Sequence, residues 1–160
     1  MKILYRAEQG YLMAYNLTTN KSCRISGQHK KMFSEWLDQG ETCEFIRTLL
    51  EAGFIAENMS EQEKEGIKQL LNECQAKKAP LRSMVAPEIM NIELTTRCPL
   101  RCTQCYCDLN QGKDIDKEVA LKYLEQAVQL KIPFINLSGG ETLVYPHLDE
   151  LLEFISAHGM

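Results

Sequence analysis

The sequence predicts an α+β domain followed by an α/β domain. Three observations carry this reading. Short β-like runs are followed by helical periodicity in the first half of the chain. Pro80 and Pro87 bracket a linker. After Pro87 the pattern becomes strand, loop, helix, strand, loop, helix, and strands separated by helices of ~15 residues imply parallel βαβ units. The expected boundaries are 1–79 for the first domain, 80–87 for the linker and 88–160 for the second domain.

Taken in order, Lys2–Ala7, Tyr11–Leu17 and Lys21–Ile25 are rich in Ile, Leu and Tyr, with Gln9-Gly10 and Thr18-Thr19-Asn20 as turns between them. Alternation puts Met13, Tyr15 and Leu17 on one sheet face, with Cys23 and Ile25 alternating on the next strand. A helix is expected over Gln28–Gln39, with Met32, Phe33, Trp36 and Leu37 as its apolar stripe and Gly40 as its stop. A second follows over Thr42–Ala52, burying Phe45, Ile46, Leu49 and Leu50 and ending at Gly53. Ser60 and Glu63 form a capping box for a third, striped by Ile67, Leu70, Leu71 and Cys74, with Lys77 and Lys78 at its carboxyl end.

In the second domain, Ile89–Leu94 is a strand. Asp116–Lys131 is a helix with Ala120, Tyr123, Leu124, Ala127 and Val128 on one face. Phe134–Leu137 is a short buried strand. Leu148, Leu151, Leu152 and Ile155 mark a last helix behind Pro146.

Composition narrows the function. The 160 residues are 44% hydrophobic and 25% charged, an ordinary globular balance that excludes low-complexity and disordered classes. The net charge is −4, and residues 88–160 hold 11 acidic against 6 basic side chains. That balance argues against nucleic acid as a partner. Arg6 and Glu8 interrupt any signal-peptide core, and no apolar run approaches the ~20 residues of a membrane helix. A cytoplasmic protein without a membrane partner is expected. Seven cysteines in such a chain point to metal or catalysis rather than disulfides.

The decisive stretch is Cys98-Pro99-Leu100-Arg101-Cys102-Thr103-Gln104-Cys105. The CxxxCxxC spacing directly after a strand lets three thiolates hold three corners of an iron–sulfur cubane. One iron is then left open for another ligand, the logic that separates catalytic from structural metal sites. Arg97 and Arg101 are placed to offset thiolate charge. By itself the triplet also fits a four-thiolate zinc site completed by Cys107, although zinc loops more often come as two separated CxxC pairs. The strand Phe134–Leu137 then runs into Ser138-Gly139-Gly140-Glu141. Paired glycines there allow close backbone approach to a ligand, at the sheet end where ligands of parallel sheets bind.

Together these residues resemble the radical S-adenosylmethionine superfamily. The resemblance covers about residues 88–160 and implies the start of a partial (βα)6 barrel. It implies that Cys98, Cys102 and Cys105 bind a 4Fe–4S cluster whose open iron chelates S-adenosylmethionine. Gly139, Gly140 and Glu141 would contact the methionyl amine. The position before the third cysteine, often aromatic in the family, is Gln104, and Tyr106 is the residue available to substitute in adenine packing. The implied chemistry is reductive cleavage to a 5′-deoxyadenosyl radical, fed by an external one-electron reductant. No catalytic acid or base is evident; His147 and His158 read as structural or surface groups.

The first domain resembles a PqqD-like winged-helix domain, the RiPP recognition element. Such domains bind a precursor's leader peptide as an added strand. On that resemblance Lys21–Ile25 is the receiving edge, Gln28–Gln39 the groove's other wall, and the helix after Ser60 the third helix. The combined layout is that of a peptide maturase making thioether or carbon–carbon crosslinks. Residues 88–160 supply two βα units, so the chain reads as an amino-terminal portion with little turnover alone. The rival expectations are an iron–sulfur winged-helix redox regulator, which would bind duplex DNA with steep salt dependence, and a zinc-stapled leader-binding adaptor.

Overall fold

The computed structural model describes residues 2–75, 84–105 and 112–160. Lys77, Lys78, Pro80, Tyr106 and Cys107 lie outside the described residues. The chain divides into two compact units, Met1–Val85 and Ala86–Met160.

In the first unit β1 (Ile3–Ala7), β2 (Tyr11–Asn16) and β3 (Lys21–Ser26) form an antiparallel sheet in the order β1-β2-β3. Three helices follow, α1 (Gln28–Gln39), α2 (Glu44–Glu51) and α3 (Glu61–Gln75). The ends are set by local chemistry. Gly40 takes a left-handed φ of 74° and stops α1. After α2, Gly53 donates to the Leu50 carbonyl and Phe54 to that of Leu49, the paired bonds of a Schellman motif. At α3 the capping box closes both ways: Ser60 N–H donates to Glu63 Oε2 at 2.7 Å, and Glu63 N–H to Ser60 Oγ at 3.2 Å.

The core gathers Leu12, Ala14, Ile25, Phe33, Leu37, Ile46, Leu49, Ile55, Ile67 and Leu71. The two faces of β2 divide as the alternation places them. Leu12 and Ala14, paired with Ile25 and Cys23, face the helices, while Met13 and Tyr15 pair with Arg24 and Ser22 on the other face. Alternation identified who shares a face but not which face meets the helices, because β2 is central and buried along its whole length. On the second face Arg6 and Glu8 form a buried ion pair. Met32 leaves the α1 stripe and is exposed, since Phe33, Trp36 and Leu37 fill the contact. Asn16 holds the sheet to the α2 end through a 2.8 Å bond from Nδ2 to the Gly53 carbonyl.

In the second unit β4 (Ile89–Thr95) and β5 (Phe134–Gly139) are parallel, in register from Ile89↔Phe134 to Ile92↔Leu137. α4 (Lys117–Gln129) starts at Asp116, whose carboxylate accepts from the Glu118 and Val119 amides. α5 (Leu148–His158) follows a 3-10 turn at Thr142–Val144. Ile92, Leu94, Ala120, Leu124, Tyr145 and Leu151 form the core between this sheet and its helices.

Two apolar helix positions stay outside the core, and one burial expectation is overturned. Tyr123 is 46% exposed because the α4 contact runs Ala120, Leu124, Ala127, and Leu152 is 47% exposed because α5 turns on Leu151. The β5 strand is half-buried rather than buried. Its opposite side carries polar residues, and Asn136 donates through Nδ2 to Asn91 Oδ1 at 2.7 Å. Among the described residues no helix is long and apolar enough to cross a membrane.

Candidate metal and cofactor site

The cysteine loop leaves β4 at Arg97 and returns at Gly112, and its base is stitched shut. Thr96 N–H donates to the Lys113 carbonyl and Ile115 N–H to that of Leu94, both at 2.8 Å. The Lys113 amide donates back to Thr96 Oγ1, and Thr95 and Asp114 form an isolated bridge. A Cβ on Gly112 would stand 2.5 Å from Arg97 Cγ, so the return strand passes this close only as glycine.

Arg97 sits across the base. Its guanidinium donates to both Asp114 oxygens, at 2.9 and 2.7 Å, and to the Val144 carbonyl at 2.9 Å. Thr95 Oγ1 donates to Asp114 at 2.6 Å. The Thr95 hydroxyl first, and the Arg97 guanidinium after it, hold the Asp114 carboxyl below the usual carboxylate range. The expectation that Arg97 offsets thiolate charge is corrected, because a carboxylate already occupies its fork. Arg101 instead folds onto its own loop, donating from Nη1 to the Cys98 and Leu100 carbonyls.

Cys98 is half-buried, and Cys102 and Cys105 are exposed. The Cys105 amide donates to the Cys102 carbonyl at 3.1 Å, a turn that keeps the last two cysteines adjacent. Among the described residues no three His, Cys, Asp or Glu side chains are drawn together closely enough to hold a metal ion. The donor set nevertheless suits an iron–sulfur cluster. Three thiols share one short loop at the carboxyl end of a parallel strand, and a ligand set of this kind closes around its metal on binding. Gln104 is exposed, with its Oε1 accepting from Thr103 Oγ1.

The glycine pair comes beside this loop. Gly139 has φ +139°, and a Cβ there would lie 2.2 Å from the Thr95 carbonyl oxygen; on Gly140 it would lie 2.3 Å from that of Arg97. The missing side chains thus admit the end of β4. The Gly140 amide donates to Thr95 O at 2.6 Å and that of Glu141 to Arg97 O at 2.8 Å. Glu141 Oε1 accepts from the Leu143 amide and caps the 3-10 turn.

His147 pairs with Glu150, and His158 bonds the Phe154 carbonyl and stacks on its ring, so both serve α5. Thr95, Gly112, Asp114 and Tyr145 were missed by sequence reasoning. Tyr145 donates through its hydroxyl to the Ile115 carbonyl at 3.1 Å and holds the return strand from below. The available signal was an arginine and an aspartate flanking one cysteine loop, at its two ends.

Comparison with known proteins finds similarity within this unit. Residues 92–159 match the Radical SAM superfamily. The radical SAM superfamily is characterised by a 4Fe–4S cluster and S-adenosylmethionine, and the loop and turn above are the parts of this chain that fall in the match. PqqA peptide cyclase of Methylorubrum extorquens (strain PA1) is 34% identical over 76 residues, covering 46% of this chain and 20% of that protein. PqqA peptide cyclase of Ruegeria pomeroyi is 36% identical over the same length, again 46% and 20%. GTP 3′,8-cyclase of Parasynechococcus marenigrum is 36% identical over 70 residues, covering 43% and 20%. The chain thus spans about a fifth of the length of these curated relatives.

Proposed function

We propose that the chain belongs to a radical SAM maturase of ribosomally synthesised peptides. The observation that carries this reading is the three-thiol loop hydrogen-bonded at its base to the Gly-Gly-Glu turn of the neighbouring parallel strand. Two relatives named for a peptide cyclase support peptide as the substrate class.

Cys98, Cys102 and Cys105 would hold the 4Fe–4S cluster as thiolates, leaving one iron for S-adenosylmethionine. Gly139, Gly140 and Glu141 would present backbone groups to the methionyl end, with the Glu141 carboxylate occupied in capping. Gln104 is the candidate for the adenine side, with Tyr106 the alternative that the sequence offers. A cluster held there would supply one-electron chemistry for the reductive cleavage of S-adenosylmethionine, with an external reductant as the electron source and the peptide as the hydrogen donor. The protein's own part is to fix the loop against the turn. In the first unit, the β3 edge would receive the leader as a further strand beside α1, and the bond formed on the substrate would be a thioether or carbon crosslink.

Anaerobic reconstitution tests the site. About four irons per chain are expected, with a reduced EPR spectrum that changes on adding S-adenosylmethionine. Alanine at Cys98, Cys102 or Cys105 should abolish both. Stoichiometric zinc with no cofactor response would overturn the assignment. The peptide reading has its own check in amide exchange. Precursor peptide should slow exchange along Lys21–Ser26; saturating peptide that leaves this edge unprotected would remove the leader site from β3.

A further inference from the structure

We infer that Arg97 and Asp114 are positioning residues that couple the cysteine loop to the Gly-Gly-Glu turn, so that the two halves of the site move as one body. This deepens the function proposed above and rests on it. Three chain segments meet at Arg97. Its amide donates to Thr95 Oγ1, its carbonyl accepts from Glu141, and its guanidinium spans Asp114 on the return strand and Val144 behind the turn. Asp114 Oδ1 accepts from both Thr95 Oγ1 and Arg97 Nε, so one carboxylate ties the outgoing strand to the return strand. Cys98 is the next residue along. Its place relative to Glu141 is therefore set by this knot.

Solvent exposure separates the role from simple stabilisation. The Arg97 and Asp114 side chains are 45% and 30% exposed, and ion pairs so open to water contribute little to folding. Their value lies in geometry. A bidentate fork fixes distance and angle at once, which a single hydrogen bond or a lysine ammonium does not. With the fork intact, iron at the three thiols and a ligand at Glu141 meet in one arrangement; without it, only the Gly140 and Glu141 backbone bonds tie the two segments, and both loosen.

The test is amide hydrogen exchange on the whole chain, read at Thr96–Cys105 and at Gly140–Val144, with iron content after anaerobic reconstitution as the second readout. In Asp114→Asn, exchange should accelerate on the order of 10-fold in both segments together, and the iron retained should fall at least by half. The melting temperature should shift by no more than a few degrees. Arg97→Lys keeps the charge but not the fork and should do the same, and it carries the test if Asp114→Asn fails to fold. Acceleration in one segment alone, or in neither, would overturn the coupling. A wild-type chain that takes up no iron would sink the proposed function instead, while the exchange data still decide the coupling.

Discussion

Gly140→Ala is expected to be among the most damaging single-methyl changes in the second unit. Its Cβ would lie 2.3 Å from the Arg97 oxygen, 2.8 Å from the Arg97 carbonyl carbon and 3.0 Å from that of Thr96. All three are backbone atoms, so no side chain can swing aside, and the turn must move off β4. That shift breaks or stretches the Gly140–Thr95 and Glu141–Arg97 bonds. Overpacking of this kind costs ~1–3 kcal/mol. For a unit of this size a loss near 2 kcal/mol lowers the melting temperature by on the order of 10 °C. Gly66→Ala provides the contrast. It lies within α3 with nothing within 4 Å of its Cβ, and alanine there should raise stability by ~0.5–1 kcal/mol. Urea unfolding of both variants checks the pair. A Gly140→Ala protein with wild-type stability and wild-type iron binding would show that the close approach does not matter.

The second large effect is expected at the ion pair inside the first unit. Arg6 and Glu8 are 3% and 2% exposed, their Nε–Oε1 distance is 2.6 Å, and Arg6 also donates to the Tyr15 hydroxyl at 2.9 Å. Glu8 Oε2 accepts from the Val85 amide at 2.6 Å, which ties the end of this unit to its sheet. Removing one partner strands a buried charge. Arg6→Met or Glu8→Leu alone should therefore cost ~3–5 kcal/mol, enough to unfold a small domain of ordinary stability. The double variant Arg6→Met, Glu8→Leu should recover most of that loss, because replacing both members of a buried pair by apolar groups is often nearly neutral. A double-mutant cycle by denaturant unfolding reads this directly. Single variants costing under 1 kcal/mol would mean that water reaches the pair.

Much of the secondary structure was legible because its causes are local. The α1 bounds follow from periodicity between Gly27 and Gly40, and the α3 start from the Ser60–Glu63 box three residues apart. The three strands of the first sheet are bounded by turn chemistry that acts within two or three residues, such as Asn16 Oδ1 accepting from the Thr18 and Thr19 amides. The candidate site was legible for a similar reason. Cys98, Cys102 and Cys105 declare their spacing within one loop, and Gly139-Gly140-Glu141 stand together at one strand end.

What tertiary structure alone decided depends on partners distant in sequence. Which face of β2 meets the helices turned on packing across the whole unit, so the alternation of Met13 and Tyr15 could not identify it. Arg97 chooses Asp114 over the thiolates 17 residues before that choice appears in the chain, and Val144 lies 47 residues away. At the glycines of the turn, a missing side chain records only that something comes close. Folding showed that the neighbour is the backbone of Thr95 and Arg97. The sequence by itself determined the elements, their caps and the spacing of the candidate thiols, since each is fixed by residues within a few positions. The knot that holds those donors to the adjacent strand is a set of non-local hydrogen bonds, and these exist only once β4 and β5 lie side by side.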